Sequence, residues 1–200
     1  MRSQIARETL VFRHLIVKLI APQIYDKVRN PLPRGMIKAI KRKVSDKRLI
    51  GVEIGVWKGV HAESILQTLN IERLFLVDPY KSYSEVKGDM NQAFFEAQDR
   101  LKVYQNKVFW VRKRSEDAVI NVPNELDFVY VDGNHDYEFV KKDIELYYPK
   151  VKDGGILGGH DFHANWKGVI KAVIEFIRRE GLEIYVEAPA DWWVVKNVRT

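Results

Sequence analysis

The chain has 200 residues, a size that suits one domain with a full core. Its 46% hydrophobic and 30% charged residues exclude both a disordered chain and a membrane protein, and the absence of cysteine excludes a disulfide scaffold, a thiolate zinc site and a cysteine nucleophile. The net charge of +6 is unevenly spread: residues 1–48 hold 13 Lys and Arg against Glu8, Asp26 and Asp46, a net of +10, which leaves −4 for the rest. A basic leader on a mildly acidic body suits a nucleic-acid or membrane surface, and equally a solvated helical face.

Residues 3–20 carry an apolar stripe of Ile5, Leu10, Phe12, Leu15, Ile16 and Leu19, which predicts a helix. Arg13, His14 and Lys18 interrupt it, so no apolar run approaches the ~20 residues of a bilayer span, and no small-residue cleavage site follows. A soluble, cytoplasmic protein is expected. The Pro31-Leu32-Pro33-Arg34-Gly35 segment breaks the leader, and a short basic helix is expected to resume through Ile40.

The body alternates. Leu49–Ile54, Leu74–Val77, Val108–Val111, Asp127–Val131 and a segment opening at Gly154 read as strands. Between them Ile65, Leu66 and Leu69, then Met90, Phe94, Ala97 and Leu101, then Tyr137, Val140, Ile144 and Tyr147 recur at helical spacing, and Val60 extends the first of these stripes. Strands apolar on both faces and separated by helices predict a parallel sheet covered on both sides. At the C-terminus, residues 182–186 and 192–195 are too close for a crossover helix, which predicts an antiparallel hairpin.

The glycine turn Glu53-Ile54-Gly55-Val56-Trp57-Lys58-Gly59 leaves the first strand. Gly55 permits a tight turn, and the helix that follows can take an anion at its N-terminus. Glu53 stands where a dinucleotide fingerprint has its first glycine; a carboxylate there repels a pyrophosphate and suits an amine or sulfonium. Asp78 ends the second strand, at the distance from Gly55 where an acid meets a ribose diol, although an Asp before Pro79 also starts turns. Ser115 and Glu116 follow the third strand, placed either to read an adenine edge or to begin a short helix.

Asp132-Gly133-Asn134-His135-Asp136 and Gly158-Gly159-His160-Asp161-Phe162-His163 follow the fourth and fifth strands. Carboxylates and imidazoles so gathered at one sheet rim suit a divalent ion, with Asp132, His160 and Asp161 as ligands, or a general base among Asp132, His135 and Asp161.

These runs, together with the Gly154-Gly155-Ile156 strand, resemble class I S-adenosylmethionine-dependent methyltransferases, above all the branch of macrocin-type O-methyltransferases and cephalosporin-hydroxylase-like proteins, over residues 48–198. The resemblance implies a doubly wound α/β Rossmann-like sheet of seven strands with the last antiparallel, residues 1–47 forming a basic helical extension and 48–200 the methyltransferase domain. It implies that Glu53, Gly55, Trp57, Lys58 and Gly59 hold the methionine part of S-adenosylmethionine, Asp78 the ribose, and Ser115 and Glu116 the adenine, with Asp132 beside the cofactor. In metal-dependent relatives, acids after the fourth and fifth strands hold magnesium, matching Asp132 and Asp161; His160 replaces a residue usually acidic there, which speaks against magnesium and leaves a softer ion or none. The expected reaction is O-methylation of a small-molecule hydroxyl. An RNA methyltransferase using the basic leader and a non-catalytic nucleotide-binding module are the alternatives; residues 79–89 suit a lid, and the leader suits a cover or a homodimer contact.

Overall fold

The structure is a computed structural model that describes residues 32–44, 46–83 and 88–197. The expected leader helix over residues 3–20, and part of the expected lid, lie outside the described residues.

Six helices and seven strands are found among the described residues: α1 (Gly35–Val44), β1 (Leu49–Ile54), α2 (Val60–Thr68), β2 (Ile71–Val77), α3 (Met90–Arg100), β3 (Val108–Val111), α4 (Ser115–Ala118), β4 (Leu126–Val131), α5 (Tyr137–Tyr147), β5 (Val151–Gly159), α6 (Lys167–Glu180), β6 (Ile184–Glu187) and β7 (Asp191–Val195). They form one sheet in the order β3-β2-β1-β4-β5-β7-β6. The pairs from β3 through β5 are parallel, whereas β7 lies between β5 and β6 and pairs antiparallel with both. The hairpin expected from the short 187–191 connection is therefore present, with its second strand inserted next to β5.

Alternation along the strands explains both covers. Leu74, Leu76, Phe128 and Tyr130 point to one face and pack with Met36, Ile37, Ile65, Leu66 and Phe94 of α1, α2 and α3. Val52, Ile54, Val129 and Val131 point to the other and pack with Val140, Ile144, Val173 and Phe176 of α5 and α6. Phe128 is fully buried, and its ring fills the space a side chain at Gly51 would need: a Cβ there would stand 2.1 Å from it. Truncating such a ring to Ala costs about 3–5 kcal/mol.

The basic helix runs four residues beyond Ile40, and its apolar positions Met36, Ile37 and Ile40 are buried in the sheet's core. Its main-chain N–H at Met36 donates to Asp191 Oδ2 at 2.9 Å, at the start of β7. Lys41, Arg42 and Lys43 stay in solvent, so here the leader's charge is a solvated face. Val60 departs from its expected core stripe; it is 41% exposed and lines the cleft described next.

Candidate active site

In a parallel sheet, ligands bind beyond the carboxyl ends of the strands, where the strand order reverses. Here the reversal lies between β1 and β4. A cleft of about 970 Å³ opens there, lined by Glu53, Gly55, Trp57, Lys58, Asp78, Asp132, His135, His160 and Asp161 among others. Gly59 borders this turn as the residue before α2, in the left-handed region at φ 72°.

Asp78 organises the glycine turn. Its Oδ2 accepts the main-chain N–H groups of Val56 and Trp57 at 3.0 and 2.9 Å, and its Oδ1 accepts that of Tyr80 at 2.7 Å. A carboxylate offers about four lone-pair sites, so room remains for a ribose hydroxyl. Trp57 is held at φ 47°, a region bulky residues rarely adopt, and its indole is 56% exposed at the cleft. Lys58 places its Nζ 5.4 Å from that ring and pairs with Glu96 at 3.0 Å.

Glu53 is buried, with Oε1 3.0 Å from His61 Nδ1. Burial pushes its carboxyl well above, and the His61 imidazole well below, their usual ranges. Both shifts favour the uncharged forms of this pair, and the cleft also presents the carboxylates of Asp78, Asp132 and Asp161.

Ser115 and Glu116 begin α4, the short-helix reading of that segment. The main-chain carbonyl of Ser115 accepts from the Tyr147 hydroxyl at 2.9 Å, and Glu116 pairs with Lys142 at 3.4 Å. Both are drawn toward α5 and neither lines the cleft.

At the other end of the cleft, Asp161 follows β5 with φ 61° and gathers three imidazoles. Its Oδ2 lies 2.9 Å from His135 Nε2 and 3.3 Å from His160 Nδ1, and its Oδ1 lies 3.2 Å from His163 Nε2. Burial raises this carboxyl, but hydrogen bonds from His135 and His160 outweigh it and hold it well below the usual carboxylate range. The His135 ring stacks on Trp166 with centroids 4.2 Å apart, which fixes its plane. Among the described residues, the donor atoms that fall within 4.8 Å of one another are those of Asp132, His135 and Asp161. His160 stands outside that triplet, its Nε2 4.0 Å from Asp191.

Asp132 also has a partner no motif announced. Arg34, from the segment before α1, places Nη1 2.6 Å from Asp132 Oδ2 and donates to the Tyr130 hydroxyl at 3.1 Å; that hydroxyl donates to Asp191 Oδ1 at 2.8 Å.

Comparison with known proteins decides the class. Residues 52–162, more than half of the chain, match the family described as methyltransferase domain. The chain belongs to that family. It carries a methyltransferase domain. Over 116 residues it is 26% identical to an uncharacterized protein of Acanthamoeba polyphaga mimivirus, covering 56% of this chain, and it spans about half the length of that relative. Among solved structures, the methyltransferase is similar to CalS11, a TDP-rhamnose 3'-O-methyltransferase of calicheamicin biosynthesis, at 17% identity, 92% and 91% coverage and a TM-score of 0.59. It is also similar to an rRNA methylase from Streptococcus thermophilus, at 15% identity, 84% and 99% coverage and a TM-score of 0.60. These two share its fold and act on different acceptors.

The described residues contain no helix long and apolar enough to cross a membrane.

Proposed function

We propose that this methyltransferase methylates a hydroxyl of a small molecule, with His135 as the general base. The observation that carries the reading is the His135–Asp161 contact at 2.9 Å, in a cleft shared with the Gly55 turn and Asp78. The acceptor oxygen bonds the methyl carbon, the carbon–sulfur bond breaks with its electron pair going to sulfur, and the hydroxyl proton goes to the His135 imidazole. S-adenosylhomocysteine and the methyl ether leave. Alignment of oxygen, carbon and sulfur supplies much of the rate, and the cleft walls supply alignment. Asp161, kept ionised by its imidazole neighbours, orients the base and stabilises the imidazolium that forms.

Asp132, His135 and Asp161 offer two carboxylate oxygens and an imidazole nitrogen, a donor set that fits a divalent ion, and such an ion would supply a Lewis acid to the acceptor oxygen. CalS11 acts on a sugar hydroxyl, which supports the same acceptor chemistry here. Calorimetry with S-adenosylhomocysteine, followed by a methyl-transfer screen of hydroxyl compounds and RNA, tests the proposal. Transfer to sugar or phenol hydroxyls supports it; transfer to RNA alone overturns it.

A further inference from the structure

Arg34 stands at the rim as a cation belonging to the protein itself. It reaches Asp132 across 98 positions of sequence and bonds Oδ2, and its side chain is only 14% exposed. Tyr130, itself tied to Asp191, holds the guanidinium from a second side. The charged and titratable groups around Arg34 are Asp132, Asp191 and Glu53, with His61 also within electrostatic range. Two carboxylates, Asp132 and Asp161, form the open donor set, and the Arg34 charge already offsets that of Asp132. A divalent ion seeking Asp132 meets a largely buried positive charge already bonded to one of its oxygens. At a buried site that charge is poorly screened by water or salt.

We propose that Arg34 is a resident cation that occupies the Asp132 arm of the site, so that the rim becomes a strong divalent-ion site only when Arg34 is withdrawn. The imidazole of His135 is then the group that takes the acceptor's proton in the resting arrangement, and metal affinity is set by a residue outside the donor triplet. The inference rests on reading this rim as the acceptor end of the methyltransferase site.

The test is a manganese titration of the full chain, with free ion followed by electron paramagnetic resonance, for wild type, Arg34→Gln and the double variant Arg34→Gln with Asp132→Asn. Gln keeps a donor for Tyr130 and removes the charge. The expected result is at least tenfold tighter manganese binding by Arg34→Gln than by wild type, with the gain abolished in the double variant. Equal or weaker binding by a folded Arg34→Gln protein overturns the proposal, as does a gain that survives Asp132→Asn. Wild-type protein alone also decides: a low-micromolar dissociation constant for manganese overturns the proposal without any variant. S-adenosylhomocysteine calorimetry on the wild type separates the two readings. Failure to bind that ligand counts against the methyltransferase site, whereas unchanged manganese affinity with intact ligand binding counts against Arg34 alone.

Discussion

A Cβ placed on Gly55 would stand 2.1 Å from the main-chain carbonyl oxygen of Asp132. The glycine turn after β1 and the loop after β4 are thus in direct backbone contact, and Gly55 holds φ 86°, where L side chains are strained. Gly55→Ala is expected to lose S-adenosylhomocysteine binding and to lower the melting temperature, because the clash is with backbone and no side chain can move aside. Calorimetry and a thermal melt check this; near-wild-type affinity would show that the two loops are not so tightly coupled.

Asp78 accepts three main-chain N–H groups of the turn, so its removal acts on fold and ligand together. In Asp78→Ala each buried donor left without a partner costs about 1–3 kcal/mol. The expected outcome is a clear drop in urea-unfolding stability and at least a tenfold loss of S-adenosylhomocysteine affinity. A variant of wild-type stability that binds the ligand normally would remove Asp78 from both roles.

His135→Ala is expected to lower kcat by about 10²–10⁴ with cofactor affinity nearly unchanged, the usual range for a lost general base. Asp161→Asn should follow it in direction, since the base loses its orienting anion. Activity of the wild type should fall on acidification, because only a neutral imidazole accepts a proton. Asp161 is not the origin of that limb: its folded value is depressed, so its contribution is present above the unfolded carboxylate range and is lost only in strong acid. Steady-state kinetics across pH 5–9 with an identified acceptor would expose any rise in rate toward acid.

Asp143 on α5 is buried, and burial pushes its carboxyl from 3.8 up to about 7. Because the folded value is raised, the stability that its neutral form contributes is fully present below about pH 4 and is lost as the pH rises through 7. Asp143→Asn keeps a partner for Ser115 and cannot ionise. It should be more stable than wild type at pH 8, on the order of 4 kcal/mol, with the gap narrowing toward pH 5. Parallel melts at the two pH values decide, and a pH-independent difference would refute the assignment.

β1 and β3 have the bounds read from their apolar runs, and the hairpin follows from a connection too short for a helix. Strand-end position was equally legible: Asp132, His135 and Asp161 converge because β4 and β5 are neighbours. What pattern does not encode is which neighbour a side chain turns toward once there. His160 stands in the same cluster as Asp161, but its Nε2 faces Asp191. The Glu116 side chain is drawn to α5 by Lys142 and the Ser115 main chain by the Tyr147 hydroxyl, contacts between elements that no local spacing predicts. Arg34 was legible only as the end of a proline-rich break; its meeting with Asp132 depends on α1 docking its Met36 and Ile37 face.

The bond from the Met36 main chain to Asp191 joins positions 155 residues apart, and the same Asp191 carries Tyr130, which carries Arg34. The arrangement at this rim therefore depends on the two ends of the described chain meeting. During synthesis, β1 through β5 can pair as they emerge, while the Met36 main chain and the Tyr130 hydroxyl wait for residue 191 before their shared acceptor exists. Closing so long a loop comes late in folding. A ribosome-tethered chain halted before β7 is expected to hold much of its sheet while lacking both bonds to Asp191.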